Sequence, residues 1–146
     1  MFEHLATESD SKCFLFCADN VTPLGVVDAD GNLQQAYIVV RSRTSPAVRQ
    51  HDLEVRRRLV NEARAEKGKA KQKEYDPEHD FRNGVAKLEV IISGWGNLPD
   101  GKGGEIPYSE ATKSELAAMP ELDYIHKQLF SHHNADENFM KAQPSY

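Results

Sequence analysis

The stretch LEVIISGWGNLPDGKGGEIPYSEATKS, residues 88–114, decides the architecture that the sequence predicts. Its apolar opening continues a spacing begun upstream. Phe81, Val85, Leu88, Ile92 and Trp95 recur at intervals of four, three, four and three residues, which is one face of an α-helix. Asp76 can cap that helix, Pro77 suits its first turn, and Glu78 and Asp80 complement its dipole, so a helix is expected over 77–95. Gly84 is its weak point and is read as a site of close packing. A glycine-rich loop is then expected over 96–108, and Ser109 is placed to cap the next helix. Trp95 and Tyr108 stand at the two ends of the loop, where their rings can pack on each other and close it. Gly94, Gly96, Gly101 and Pro107 shape the turns between them.

Toward the N-terminus, Thr44 or Ser45 followed by Pro46 announces a basic helix over 45–65. Val48, Leu53, Val55, Leu59, Val60 and Ala63 give it a narrow, broken apolar stripe. Residues 66–76 are almost wholly polar and read as a linker. Further upstream, 21–27 and 34–40 are β-type runs separated by Asp28-Ala29-Asp30-Gly31-Asn32, whose Asp-Gly suits a tight hairpin turn. Phe14 to Phe16 offers a third strand, so 13–40 is expected to be β and 1–12 a flexible arm. Toward the C-terminus, 109–142 is expected to be helical, broken at Pro120, with Leu122, Ile125, Leu129 and Phe130 inward and Phe139 and Met140 extending the stripe. Residues 143–146 read as a tail. The expectation is an α+β fold: an N-terminal antiparallel β-hairpin or small sheet followed by a bundle of about four α-helices, in one domain over 13–142.

A chain of 146 residues sustains one core and is short for two. Its mean hydropathy of -0.64 leans polar. No apolar run reaches the roughly 18 to 20 residues that span a bilayer, and the first residues lack a secretory leader, so no membrane partner is expected and a cytoplasmic location is. Cys13 and Cys17 have no partner pair and read as small buried hydrophobes. Charge is unevenly spread. Of 18 Lys and Arg and 23 Asp and Glu, 11 and 4 fall between Arg41 and Lys73, a net of +7, which leaves 7 and 19, a net of -12, elsewhere. Such a segment is drawn either to an acidic partner or to other copies of the chain.

Chemistry is hard to place on this sequence. Gly96-x-x-x-x-Gly101-Lys102 opens like a phosphate-binding loop, but Gly103 replaces the Ser or Thr that holds magnesium. The loop also follows an expected helix, and no helix starts directly after it. Asp28, Asp30 and Asn32 open like a calcium loop, yet Leu33 stands where glycine must bend the chain and Val39 where a glutamate must close it. The six histidines form no metal pattern; His126 and His133, seven apart, are expected at the surface or its boundary. No serine sits in a nucleophile elbow and no cysteine has a base arranged by sequence, so no catalytic residue, metal or cofactor is expected. Arg56, Arg57, Arg58, Arg64, Lys67, Lys69, Lys71 and Lys73 invite a nucleic-acid reading. Against it, the three arginines in a row point three ways around a helix, no aromatic ring interleaves to stack on bases, and the acidic remainder repels phosphate.

Several features in order resemble small proteins of long-tailed bacteriophages described as tail assembly chaperones or tail-associated proteins. They are the Asp-Gly hairpin, the Ser-Pro helix start, the charged helix and linker, Gly94-Trp95, Asp100-Gly101, Glu105-Ile106-Pro107-Tyr108-Ser109, the Met119-Pro120 break and Asn138-Phe139. The likeness covers about 20–142 and is sharpest over 94–109; Ala111 and Thr112 depart from the acidic residue and asparagine usual there. It implies a non-enzymatic protein of the host cytoplasm that assists long-tail assembly by binding the tape measure protein, tail tube subunits or both, with homo-oligomers as a further partnership. Trp95, Tyr108, Arg56, Arg57, Arg58 and Phe139 then stand as candidate partner-binding residues. The alternatives are a structural tail or connector component kept in the virion, and a small phage protein that binds nucleic acid or inhibits a host defence.

Overall fold

The structure, a computed structural model, describes residues 1–66 and 76–140, so most of the expected linker and the tail at 143–146 lie outside the described residues. Among the described residues, five strands and four α-helices form an α+β fold. Strand β4 (Tyr37–Arg41) is central and pairs antiparallel with β1 (Asp10–Phe14) on one side and β5 (Ile92–Gly96) on the other. Its alternation is clean: Ile38 and Val40 are fully buried, while Tyr37, Val39 and Arg41 are half-buried on the other face. Helices α2 (Pro77–Ile91) and α4 (Asp123–Asn134) cover the buried face, and Leu88, Ile91, Ile125 and Leu129 meet Ile38 and Val40 in one core.

Strands β2 (Gly25–Val27) and β3 (Leu33–Gln35) form the expected hairpin across Asp28 to Asn32. The second β-type run does not continue as one strand, however. At buried Ala36, whose N–H donates to Leu24 O at 2.7 Å, the backbone passes from the two-stranded sheet into β4. The arm is also shorter than expected, since β1 begins at Asp10 opposite Arg41. On this edge the Lys12 ammonium sits 4.4 Å over the Tyr37 ring, and Phe14 lies 6.0 Å from the same ring.

The helix expected over 77–95 ends at Ile91, because Ile92 turns extended (φ -83°, ψ 123°) and residues 92–96 become β5. Trp95 therefore sits on a strand. Its start is as expected, with the Asp76 carboxylate accepting from Glu78 N–H at 3.0 Å. Gly84 marks no close packing, as a Cβ built there meets nothing within 4 Å.

Helix α3 (Glu110–Ala118) follows the loop, and a 3-10 turn at Pro120–Leu122 leads into α4. The last helix does not run on to 142 as expected. It stops at Asn134, where Ala135 turns extended, and a second 3-10 turn, Asp136–Phe139, folds back. Helix α1 (Pro46–Glu66) departs furthest from expectation. Val48 alone is buried among its described side chains, whereas Leu53, Leu59 and Val60 are 44%, 56% and 44% exposed. A 2.6 Å ion pair between Asp52 and Lys87 of α2 ties its first turns to the body. Among the described residues no helix is long and apolar enough to cross a membrane.

Candidate functional site

Two features could carry function: the strapped loop after β5 and the bare length of α1. The strap begins at Trp95, whose indole N–H donates to Ile106 O at 2.9 Å. Its ring meets Tyr108 edge to face, centroids 5.0 Å apart and planes at 90°. Both rings are half-buried against the core, so the loop is closed as its sequence predicts. Ser109 then caps α3: its hydroxyl accepts from Thr112 N–H at 3.1 Å while Thr112 Oγ1 accepts from Ser109 N–H at 2.9 Å. Gly96 is required by Tyr37, whose hydroxyl would lie 2.6 Å from any Cβ there. Pro107, just before Tyr108 in the chain, is exposed, and Gly94 sits opposite Val39.

Inside the loop, the Asp100 carboxylate accepts from the amides of Lys102 at 2.7 Å and Gly104 at 3.0 Å, and Asp100 N–H donates to Gly104 O at 3.1 Å. Asp28 does the same with Asp30, Asn32 and Asn32 O in the first hairpin, each at 2.9 Å. Gly31 and Gly103 hold the matching left-handed position, with φ of +83° and +89°; Gly101 is also left-handed at +81°. One five-residue turn is thus used twice. The amide of Asn32, above all, holds the Asp28 carboxyl below its usual range. The glycine loop does follow a strand, so that objection to a phosphate site falls. The absent Ser or Thr remains, α3 starts only at Glu110, and the amides of Lys102 and Gly104 already serve Asp100.

Arg56, Arg57 and Arg58 are exposed on α1, and the hydrogen bond and ring contact of the strap involve none of them. The structure therefore joins Trp95 to Tyr108 and leaves the arginines elsewhere. Phe139 must be withdrawn as a partner-binding residue. It is 1% exposed, inside the core, with His132 edge-on to its ring at 5.5 Å. What sequence reading missed on α1 is the sorting of its stripe into two faces. Val48, Val55 and Leu59 lie on one, while Leu53 and Val60 lie on the other beside Arg56, Arg57 and Arg64.

His126 and His133 of α4 also differ from expectation, being buried, and each histidine of this helix finds a hydrogen-bond partner in another element. His126 and His133 are 7% and 1% exposed; their ring N–H groups donate to Leu116 O at 2.8 Å and Arg41 O at 2.7 Å. His132 Nε2 bonds Ser11 Oγ at 2.7 Å, tying β1 to α4 across 121 residues of chain that carry no local signal of the pair. Burial lowers the pKa of both His132 and His133. Beside them an open cleft of about 690 Å³ runs between β1 and α4, lined by Phe14, Phe16, Tyr124 and Gln128 among others. Among the described residues, no three His, Cys, Asp or Glu side chains gather to hold a metal ion.

Comparison of the chain with protein families, curated proteins and solved structures returns no match.

Proposed function

We propose that this chain is a non-enzymatic phage protein that assists long-tail assembly by binding the tape measure protein, tail tube subunits or both. The observation that carries this reading is α1, which extends about 30 Å at 1.5 Å per residue yet, among its described side chains, buries only Val48. A helix with Leu53, Leu59 and Val60 bare is stabilised by a partner that covers them. The order of features from the Asp-Gly hairpin to Asn138-Phe139, which resembles tail assembly chaperones, supplies the identity of the partners. Many weak contacts along one filament suit such a role, because avidity multiplies affinities that singly stay reversible.

The test is co-expression with neighbouring tail genes, pull-down, and mass spectrometry of purified particles. A chaperone copurifies with tape measure or tube subunits and is absent from finished particles. Retention in fixed copy number makes it a resident tail or connector component. Failure to capture any tail protein, together with tight binding to duplex DNA that collapses with salt, replaces this reading with a nucleic-acid one.

A further inference from the structure

The fold does not use the face of α1 that carries Leu53. At about 100° per residue, Leu53 and Val60 lie within roughly 20° of one line along the helix, about opposite Val55, and Arg49, Arg56, Arg57 and Arg64 flank that line on both sides. Leu53 and Val60 are exposed. Of the carboxylates on this stretch of the helix, Asp52 holds Lys87 at 2.6 Å, and Glu54 accepts from Gln50 at 3.0 Å. None of the four arginines has an ion-pair partner among the described residues. The strip therefore presents four arginines, none ion-paired among the described residues, around two bare aliphatic side chains.

We infer that this strip docks an acidic amphipathic helix of another protein, laid lengthwise along α1. Two observations choose that occupant. Apolar anchors seven residues apart match one face of a second helix, whose own leucine-sized residues at the same interval can sit between them. The flanking guanidinium groups call for carboxylates on both edges of that helix, and Arg pairs with them bidentately. A phosphate backbone would leave Leu53 and Val60 without a partner, and the strip offers no ring on which a base can stack. A second copy pairing through α1 would set arginine against arginine across the twofold axis. The inference rests on the functional reading only in taking the partner to be a protein; it adds the surface and the partner's chemistry.

The experiment is fluorescence anisotropy with a labelled synthetic three-heptad peptide carrying leucine on one face and glutamate on its flanks. A peptide with lysine for every glutamate and a short DNA duplex serve as competitors. The acidic peptide binds best, and raising salt from about 0.05 to 0.5 M weakens it about tenfold or more, because exposed pairs are screened. The variant R56E/R57E/R64E loses the acidic peptide by at least about tenfold and gains the basic one, while L53S/V60S weakens both; each keeps the wild-type circular dichroism and melting temperature, since its side chains are exposed. Tighter binding of the duplex, equal binding of both peptides, unchanged binding by the triple variant, or α1-dependent dimers in sedimentation each overturn the inference. If the triple variant still captures tail proteins on co-expression, the docking strip falls and the functional reading stands. If wild type binds the acidic peptide but captures no tail protein, the docking strip stands and the functional reading falls.

Discussion

Replacing Trp95 tests whether the ring is a strap of the fold or a contact for a partner. Three losses follow from Trp95→Ala. The edge-to-face contact with Tyr108 is worth about 0.5–1.5 kcal/mol. The indole hydrogen bond to Ile106 O contributes about 0.5–1.5 kcal/mol. The apolar surface of a ring packed against the core adds more, bounded by the roughly 3–5 kcal/mol of a fully buried aromatic. Because Trp95 is half-buried, the expected total is about 3 kcal/mol. Trp95→Phe keeps a ring and drops the N–H, for about 1 kcal/mol. For a domain of this size these become falls in Tm of about 10 °C and 3 °C. Urea unfolding followed by far-ultraviolet circular dichroism is the assay, since each variant removes the chain's single tryptophan. A double-mutant cycle with Tyr108→Ala should return a coupling of about 1 kcal/mol. A change below about 0.5 kcal/mol in Trp95→Ala, with partner capture abolished, would refute the strap and make the ring an interface residue.

Gly84→Ala should stabilise the fold by about 0.5–1 kcal/mol, since a methyl group there meets open space and alanine restricts the unfolded chain; a lower urea midpoint sinks this. His133 makes stability depend on pH. Desolvation chiefly, then the charges of Lys87 and Arg43, lower its folded pKa below the usual 6.5, against the raising effects of Arg41 O and Asp52. The unfolded chain then binds more protons, so this contribution is complete above about pH 6.5 and is lost as pH falls through the folded pKa. His132 acts in the same direction, so H132N/H133N should flatten the stability profile between about pH 7 and 5 relative to wild type, as read by urea midpoints. Burial pushes the Cys13 thiol up to about 11, so a thiol reagent near pH 8 should find only Cys17 quickly, and Cys17→Ser should abolish the fast phase.

Local chemistry was legible. The Asp28 turn, the Asp76 and Ser109 caps and the stop at Pro120 each depend on residues within a few positions of one another, and each formed where the sequence placed it. Long-range pairing was not. Nothing within residues 1–12 announces that Asp10 will lie opposite Arg41, because that register is set by an edge of β4. The α4 histidines failed for a related reason: their acceptors are backbone carbonyls of Leu116 and Arg41, which any residue type supplies. On α1 the apolar period was real, but periodicity says which residues share a face and not what covers them.

The strand mistaken for the end of a helix shows how the two periods converge. Val40 pairs with Ile92 and Val39 with Gly94, so Ser93 is an extra residue bulged out of the ladder. A regular strand would place Ile92 and Trp95 on opposite faces; the bulge resets the alternation, and both face the core side shared with Val40 and Ile38. Three residues apart and facing alike is also what a helix produces, so the apolar spacing alone could not separate them. The outward residues could. Gly94 and Gly96 flank the tryptophan, and in a helix each costs about 1 kcal/mol against alanine with nothing gained. In the strand they lie opposite Val39 and Tyr37, where Gly96 gives the Tyr37 ring the room it occupies. A local propensity at odds with the proposed element was the sign of a different one.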